Sequence, residues 1–415
     1  MTAHPFTKNY LGVKKYVSSD KPMVEIEELS EDACDKARVP TLPTLCLNMI
    51  VRQESQIIER CLTALVGVAR EYAILDTGST DDTVAKIKAF GAMTGVTGTE
   101  PFINFEQARN AALRLACQTT CTHVLLLDAD MVLVIVDRAQ LDALLTTPTP
   151  SVFQLIQCHI NLEYYNTRII DSTILPETKY VGVTHEYLDC PAQYARVEIP
   201  KSVAYIADIS DGGCKHDKFA RDIRLLSDAF ADLSETYGNR ARYCFYLAQS
   251  YRDFGNVEKA VEFYTQRANM TGTWVQEVCY SFVALMYMAL AANEEPRALE
   301  LVASMAATGV KRPEGYHALC SYYSKIGRHP DAMKYLTLAH QNVPGSGEAI
   351  PLFYDVSIAK HLLRYEATIL FWYFGEGWWR LRAKQLCEDL LADESFPAHL
   401  RPVVLNNYNV HYTML

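Results

Sequence analysis

Long apolar runs and clusters of positive charge are both missing from this sequence of 415 residues. The longest nearly continuous apolar stretch covers residues 282–292, which is too short to span a bilayer. The net charge is −10 without any long basic run, and this disfavours nonspecific binding of nucleic acid. The first residues lack the apolar core of a secretory signal. We therefore expect a soluble, cytoplasmic protein with no transmembrane segment.

Several short signatures of common enzyme classes are missing as well. No Gly-x-Gly-x-x-Gly follows the first predicted strand, where residues 52–54 read Arg-Gln-Glu, and this excludes a dinucleotide-binding loop. No Gly-Lys-Ser or Gly-Lys-Thr indicates a phosphate-loop NTPase, and no Gly-x-Ser-x-Gly indicates a hydrolase. The twelve cysteines form no Cys-x-x-Cys pair, so we interpret them as reduced thiols. A zinc site built on Cys214 and His216 lacks a second pair of ligands.

The composition is that of a globular protein, and the length predicts at least two domains. Hydrophobic residues make up 49% and charged residues 21% of the sequence, and 415 residues exceed what one core usually organises. Residues 1–42 are polar and irregular, which indicates an N-terminal arm. Residues 43–225 alternate predicted strands and helices, which is typical of a largely parallel α/β sheet covered on both faces. Residues 226–415 are predicted to be all helical.

Two acidic signals follow predicted buried strands within the α/β region. Asp76 ends the apolar run that reaches Leu75, and Asp128 and Asp130 follow the run that ends at Leu127. Open α/β sheets bind their ligands at the carboxyl ends of strands. An Asp-x-Asp pair there can hold Mn²⁺ or Mg²⁺, which in turn bridges to phosphates. We therefore predict a nucleotide diphosphate as the ligand. The alternatives are that Asp76 only caps a turn or helix and that the Asp-x-Asp pair arose by chance.

The helical region repeats a pattern of small and aromatic residues. One copy lies within residues 241–264, a looser copy within residues 316–339, and a degenerate copy between them. Ala298 and Ala332 are 34 residues apart, which is the tetratricopeptide period. The pattern therefore indicates tetratricopeptide-like helix pairs, with an irregular helical bundle as the alternative.

Four motifs in a fixed order give the α/β region a resemblance to a known family. They are Leu45-Cys46-Leu47-Asn48-Met49-Ile50-Val51-Arg52-Gln53-Glu54, Leu75-Asp76-Thr77-Gly78-Ser79-Thr80-Asp81, Ala108-Arg109-Asn110-Ala111 and Leu127-Asp128-Ala129-Asp130. They resemble a family 2 glycosyltransferase, although Gln53 stands where that family usually has Asn. The resemblance implies a Rossmann-like glycosyltransferase A-type fold that binds a nucleotide sugar and transfers the sugar with inversion, usually with a divalent metal.

The resemblance extends beyond the four motifs into the helical region. Residues 180–186, which end in His-Glu, together with Lys215-His216-Asp217 and residues 245–251, look like a subgroup that carries carboxyl-terminal tetratricopeptide-like helices. Chains of that subgroup occur in bacteria and large DNA viruses. The similarity covers roughly residues 43–340.

The resemblance implies roles for the residues that bind the donor. Asp76 would hydrogen-bond the nucleotide base, and Val51 and Glu54 would line the same pocket. The chemistry agrees, because a carboxylate accepts from the imide N–H of uracil or thymine. Asp128 would lie near the ribose and the metal, and Asp130 would bind the metal directly.

The resemblance also implies candidates for the catalytic base and for further contacts. Inverting transfer needs a base that takes the proton of the acceptor hydroxyl as this attacks the anomeric carbon. Glu186 fits that role with His185 as its rival, and a buried structural His-Glu pair is the alternative. His216 would be a third metal ligand, or else a loop residue packed under the helices. Arg109 would contact phosphate or brace the Asp128 loop, and a plain surface salt bridge is the alternative.

Two functions of different classes follow from these patterns. One is a metal-dependent inverting glycosyltransferase with a nucleotide-diphosphate sugar as donor, UDP-linked in our prediction, and a glycan, protein or small molecule as acceptor. The other is a catalytically silent scaffold that binds protein partners or a second copy through its helices. Degenerate cores tend to lose functional residues, so the joint retention of the following five favours the enzyme. They are Asp76, Asp128, Asp130, Glu186 and His216.

Overall fold

The computed structural model describes residues 42–159, 162–212, 218–345, 348, 350–374 and 377–412. The chain divides into two compact units between residues 225 and 226. The first unit combines strands and helices, and the second is built from helices.

The first unit alternates strands and helices in its amino-terminal half and is mostly strands afterwards. Its strands are β1 (Leu45–Val51), β2 (Ala69–Asp76), β3 (Thr94–Thr99), β4 (His123–Leu126), β5 (Met131–Ile135), β6 (Ser151–His159), β7 (Leu162–Asp171), β8 (Lys179–Val181), β9 (Tyr187–Asp189), β10 (Ala195–Ile199) and β11 (Ala204–Asp208). Its helices are α1 (Ile58–Ala64), α2 (Thr83–Ala89), α3 (Phe105–Ala116) and α4 (Arg138–Leu145), and a short 3-10 helix covers Ser172–Glu177.

Nine of these strands form one sheet in the order β3-β2-β1-β4-β7-β6-β11-β5, with β10 also paired to β6. Five pairings are parallel, namely β1–β2, β1–β4, β2–β3, β6–β10 and β6–β11. The three pairings β4–β7, β6–β7 and β5–β11 are antiparallel. The predicted largely parallel α/β sheet is therefore confirmed. Because β1, β2 and β4 run parallel, their carboxyl ends share one edge of the sheet.

Alternate residues of β1 pack into cores on opposite faces of the sheet. Leu47 and Met49 join the core that α1 covers, whereas Cys46 joins the core that α3 covers. Asn48 is buried between them, and its amide donates to the carbonyls of Ala73 at 2.9 Å and Ala112 at 2.7 Å. A buried amide needs such partners to offset its desolvation. Asn48 thus ties α3 to the sheet at a fixed position.

Gly95 of β3 has no room for a side chain. An added Cβ would lie 2.1 Å from the carbonyl oxygen of Tyr72 and 2.7 Å from its ring. We expect Gly95→Ala to lower the free energy of unfolding by about 1–3 kcal/mol, because strand β2 or β3 must shift to accept the methyl group. Urea unfolding measures the change. Gly91→Ala is the matched control, since no atom lies within 4 Å of its added Cβ, and equal losses in both variants would contradict this account.

The second unit consists of consecutive helices, most of which pack as neighbouring pairs, and the first of them begins at Lys218, before the division between the units. They are α5 (Lys218–Ala231), α6 (Tyr237–Phe254), α7 (Val257–Ala268), α8 (Val275–Ala291), α9 (Glu295–Ala307), α10 (Glu314–Lys325), α11 (His329–Gln341), α12 (Leu363–Phe374), α13 (Trp378–Ala392) and α14 (Arg401–Asn407), with π-helical turns at Ile358–Leu362 and Tyr408–Tyr412. Helices α6 and α7, α8 and α9, α10 and α11, and α12 and α13 pack against each other in turn. The predicted helical domain is confirmed.

Small and aromatic side chains form the seam between α6 and α7. Leu247, Ala260 and Tyr264 are fully buried, and Tyr251 stacks on Phe263 with ring centroids 5.5 Å apart. In the described part of the chain, none of the helices combines the length and apolarity that a bilayer crossing requires.

Candidate active site

The loops that follow β1 and β2 are joined by side-chain hydrogen bonds at the shared carboxyl edge. The Gln53 side chain accepts from the backbone N–H groups of Thr80 at 2.6 Å and Asp81 at 3.2 Å, and the Gln53 N–H donates to the Ser79 hydroxyl. Gln53 has a φ of 58°, in the left-handed region. Gln53 stands where the family usually has Asn, and like Asn it supplies a side-chain amide oxygen. This oxygen caps the turn that follows β2.

Asp76 ends β2 and is 5% exposed. Its carboxylate accepts from the N–H groups of Ser79 at 3.0 Å and Gly78 at 3.3 Å. Asp76 thus caps a turn, which is the role that the sequence analysis gave as the alternative to binding the nucleotide base. A carboxylate has about four lone-pair sites, so the turn contacts leave acceptor capacity for a ligand.

Arg109 of α3 contacts two acidic residues with different predicted roles. Asp128 was predicted to lie near the ribose and the metal, and Glu186 was predicted to be the catalytic base. One Nη donates to Asp128 Oδ1 at 2.8 Å, and Nε donates to Glu186 Oε1 at 2.5 Å. The three side chains expose only 15%, 29% and 13% of their surface, in the order Arg109, Asp128 and Glu186. One guanidinium thus holds both carboxylates in a single, largely covered cluster, in a role beyond that of a surface salt bridge.

The charges of this cluster shift the pKa values of Asp128 and Arg109. Burial alone would raise the pKa of Asp128, but the guanidinium groups of Arg109 and Arg168 outweigh it, and the pKa lies below its ordinary value. Burial would likewise lower the pKa of Arg109, yet Asp128 and Glu186 outweigh it and raise that pKa. Burial raises the pKa of Tyr180 to about 12, so its phenol stays neutral.

Helix α3 holds the segment that carries Glu186 through paired backbone contacts. Asn110 exchanges two hydrogen bonds with the backbone of Tyr180, at 2.8 and 2.9 Å. Glu106 accepts from the Gly182 N–H at 2.6 Å, and the Phe105 N–H donates to the Val183 carbonyl. The motif Ala-Arg-Asn-Ala thus serves two purposes: Arg109 binds the carboxylates, and Asn110 fixes the strand that leads to Glu186.

The turn at residues 182–186 depends on unusual backbone angles. Gly182 has a φ of 113°, and an added Cβ would lie 3.3 Å from the Cα of Glu186. His185 has a φ of 51° and is half-buried. Thr184 is buried beside Asp222, with 3.5 Å between its hydroxyl and the carboxylate. Gly182 therefore permits the tight approach that points Glu186 toward Arg109.

Asp130 and Glu54 converge on the backbone of Gly212. An ideal Cβ at Gly212 would lie 3.1 Å from Asp130 Oδ2 and 3.5 Å from Glu54 Oε1. The Gly212 N–H donates to Asp130 at 3.3 Å, and Arg60 holds the neighbouring Asp211 with two bonds of 2.7 Å. The missing side chain at Gly212 lets its backbone approach both carboxylates, because a Cβ there would crowd Asp130.

The chemistry of Asp130 and Glu54 suits a divalent cation. Carboxylate oxygens are the ligands that Mg²⁺ and Mn²⁺ prefer, and both carboxylates approach the same backbone position at Gly212. Within the described ranges, no three His, Cys, Asp or Glu side chains already form a cluster of ligand spacing. His216, the predicted third ligand, lies outside the described residues.

The predicted site residues therefore fall into three places along one edge of the sheet. Arg109, Asp128 and Glu186 are in direct contact, Asp130 and Glu54 share the space at Gly212, and Asp76 lies in its own turn. Their ligand roles stay predictions. The side chain of Val51 is 2% exposed and packs in the core, while its carbonyl accepts from Thr77. The prediction that it lines the base pocket also stays open.

Sequence reasoning missed Arg168 and Gln157 behind Asp128. Arg168 of β7 is 8% exposed and donates to the Leu126 carbonyl at 3.3 Å and to the Gln157 side chain. Gln157 in turn donates to Asp208 at 2.7 Å. This network holds the end of β4, directly before Asp128. The available signal was an arginine followed by two isoleucines in a region whose pattern predicted only short, mixed and turn-rich structure, although a charged side chain beside apolar residues needs a partner.

Comparisons with known proteins agree with the motifs. Residues 46–136 match the model of the family described as Glycosyl transferase family 2. A TPR repeat-containing protein of Synechococcus elongatus (strain ATCC 33912 / PCC 7942 / FACHB-805) is 34% identical over 114 residues, which are 28% of this chain and 27% of that protein. This chain therefore spans about a quarter of the length of the curated relative that it matches.

Solved structures give a weaker likeness. S. aureus TarS has a TM-score of 0.35 and 11% identity, with 65% of this chain and 55% of that chain covered. Residues 1–349 of S. aureus TarS in complex with UDP have a TM-score of 0.35 and 12% identity, with 64% and 88% covered. Likeness of this size carries no conclusion about substrate. The family match includes the four motifs apart from Leu45, and it ends before residues 180–186. It confirms the resemblance: residues 46–136 of this chain match glycosyl transferase family 2.

Proposed function

We propose that this chain is a glycosyltransferase that moves a sugar from a nucleoside diphosphate sugar to a hydroxyl acceptor with inversion. The observation that carries the proposal is the Arg109 cluster, which holds Asp128 of the donor motif and Glu186 together at the carboxyl edge of the sheet. In this proposal residues 43–225 are the catalytic domain and residues 226–415 are a tetratricopeptide-like helical domain.

The proposed reaction is a single displacement. The acceptor hydroxyl oxygen attacks the anomeric carbon while the bond from that carbon to the diphosphate oxygen breaks, and Glu186 takes the hydroxyl proton. Since Arg109 contacts Oε1 of Glu186, we assign the proton to Oε2. The nucleoside diphosphate leaves with the bonding electron pair, so charge and atoms balance.

The departing diphosphate needs compensation for its charge. Asp128 and Asp130 would hold a divalent cation that neutralises that charge when bound. His216 completes the proposed ligand set. Arg109 lies against Asp128 and orients it, and an acid for the leaving group is unnecessary in this scheme.

The donor site is tested by removing one charge. We expect Asp130→Asn to weaken Mn²⁺-dependent binding of UDP by about tenfold to a hundredfold, because losing a charge-assisted contact typically costs about 1.5–3 kcal/mol. Asn keeps the size of the side chain and its capacity to accept from Gly212. Calorimetric titration of UDP with and without Mn²⁺ measures the change.

The matched control for that titration is Asp142→Asn. In the unaltered protein the Asp142 carboxylate pairs with Arg138 on the surface of α4. The control variant should bind UDP like the unaltered protein. Equal metal-dependent affinity in Asp130→Asn and the control would remove Asp130 from the donor site.

The proposed role of Asp76 predicts which nucleobase the donor site prefers. A carboxylate accepts from the imide N–H of uracil, whereas cytosine presents an unprotonated ring nitrogen at the same place. We therefore expect UDP to bind at least about tenfold more tightly than CDP, and Asp76→Asn to reduce that ratio. Competition titrations with UDP, CDP and GDP measure it, and a purine nucleotide that wins the competition would contradict the assignment.

A further inference from the structure

A segment of the chain between α11 and α12 folds back onto earlier helices of the second unit. The link covers residues 342–357, which is long for a connection between helices. Residues 351–355 of this link, here called the internal segment, contact a surface formed by α6, α8 and the start of α10. We call that surface the receiving face. Its residues are Phe245, Gln276, Tyr280, Arg312 and Glu314.

The polar side chains of the receiving face bind main-chain atoms of the internal segment. Gln276 accepts from the Leu352 N–H at 3.2 Å, Arg312 donates to the Leu352 carbonyl at 3.0 Å, and Glu314 accepts from the Asp355 N–H at 3.3 Å. Arg312 is fully buried and Glu314 is 4% exposed. Every peptide offers such N–H and C=O groups, so these contacts suit peptide as a class of ligand rather than one sequence.

Two side chains give the contact its sequence preference. Leu352 is buried, and the ring of Phe353 packs against two aromatic rings of the receiving face that also contact each other. Its centroid is 6.0 Å from that of Phe245, nearly parallel, and 5.1 Å from that of Tyr280, edge to face. Such arrangements are favourable aromatic geometries. An aliphatic residue followed by an aromatic one is therefore the pattern that this surface accepts.

The internal segment makes these contacts at a conformational cost. The Tyr354 N–H donates to the Pro351 carbonyl, which closes a turn with Phe353 at its third position and a φ of 53°. An L-residue with a side chain rarely adopts that angle, which costs free energy. A separate peptide can offer the same groups without this turn. A peptide that made the same contacts without this φ angle would have that free energy in its favour.

We propose that the receiving face is a peptide-binding site that the internal segment fills in cis, and that a partner protein with an exposed aliphatic-aromatic pair displaces the segment. The site is distinct from the sugar-transfer chemistry and does not rest on it. A partner can bind only those molecules in which the internal segment has left the receiving face. Its apparent affinity therefore equals the intrinsic affinity multiplied by the fraction of such molecules. If that fraction is about one in a hundred, the apparent affinity falls about a hundredfold.

The test uses the full chain and a synthetic peptide that copies residues 350–357. We expect the labelled peptide to bind Phe353→Ala at least about tenfold more tightly than the unaltered protein, since the variant's internal segment lacks its aromatic anchor. Fluorescence anisotropy measures both affinities. Phe374→Ala is the matched control, because it removes an exposed phenylalanine at the end of α12 and should leave peptide binding unchanged.

A second substitution places the peptide on the receiving face. Adding Tyr280→Ala to Phe353→Ala should abolish the gained binding, because the ring that faces Phe353 is removed. A folded Phe353→Ala protein that binds the peptide no better than the unaltered protein would overturn the proposal. Retained binding in the folded double variant would overturn it as well.

If Phe353→Ala does not fold, hydrogen exchange on the unaltered protein tests whether the internal segment can leave the receiving face. A displaceable segment opens without unfolding the helices beneath it, so the amides of Leu352 and Asp355 should exchange at least about tenfold faster than those in the middle of α8. Exchange of both regions at one common rate would show that the segment is part of the core and would overturn the proposal.

Discussion

Replacing Glu186 by Gln is expected to lower the transfer rate by about 10²–10⁴-fold while donor binding changes little. The substitution keeps the length of the side chain and an oxygen that can accept from Arg109. It removes the capacity to take a proton from the acceptor hydroxyl, together with one of the two negative charges that face Arg109. A loss confined to turnover is the result that identifies a base.

Measuring this prediction needs a donor-binding assay and a transfer assay on the same protein. Calorimetry with UDP reports binding, and release of nucleoside diphosphate from a panel of nucleotide sugars and acceptors reports turnover. Glu163→Gln is the matched control, since Glu163 pairs with Lys201 on the surface. If Glu186→Gln turns over normally and His185→Ala does not, the two residues exchange roles.

Normal turnover in both variants would place the base elsewhere. The sequence offers Asp189 and Asp211 as further acids after the metal motif. The structure makes Asp211 the weaker of the two, because Arg60 already holds its carboxylate with two hydrogen bonds. Asp189 belongs to β9, three residues beyond Glu186.

The second large effect concerns stability. Glu277→Ala is expected to lower the free energy of unfolding of the helical unit by about 3–5 kcal/mol, because it leaves a buried guanidinium without its carboxylate. Arg267 is fully buried, and its Nε and Nη2 donate to Glu277 at 3.2 and 2.9 Å. Arg242 approaches the second oxygen of Glu277 at 3.5 Å. Urea unfolding followed by far-ultraviolet circular dichroism measures the loss.

Two controls test whether the stability loss in Glu277→Ala comes from leaving a buried charge unpaired, rather than from losing any ion pair. Glu262→Ala removes the partner of Lys259 on the surface of α7, where such pairs contribute about 0–1 kcal/mol. The double variant Arg267→Met and Glu277→Leu removes both charges and should recover most of the stability. A loss below about 1 kcal/mol in Glu277→Ala would mean that the unpaired Arg267 reaches water.

The sequence was sufficient for the features that local patterns encode. Apolar runs that end in acids correctly predicted β2, with Asp76 as its last residue, and β4, with Asp128 after it. The four ordered motifs correctly predicted the family. The change of pattern after residue 225 predicted the helical unit. These features succeed because strand burial and helix periodicity are properties of neighbouring residues.

The contacts between distant residues were beyond the sequence. Arg109 was assigned to phosphate, to the Asp128 loop or to a surface pair, and only the packing of α3 against residues 180–186 brings it to Glu186. Arg168 supports Asp128 from an antiparallel strand about 40 residues later in the chain. The internal segment lacks helical periodicity and gave no signal at all. Each depends on long-range pairing, which no local pattern encodes.

The position of β4 between β1 and β7 has a consequence for the order in which the chain folds. The family match ends at residue 136, but β7 begins at Leu162 and pairs with β4 along its other edge. A nascent chain that has reached residue 136 therefore exposes that edge, which is open to pairing with another chain until β7 emerges. A fragment cut at the family boundary would keep this exposed edge permanently and should aggregate.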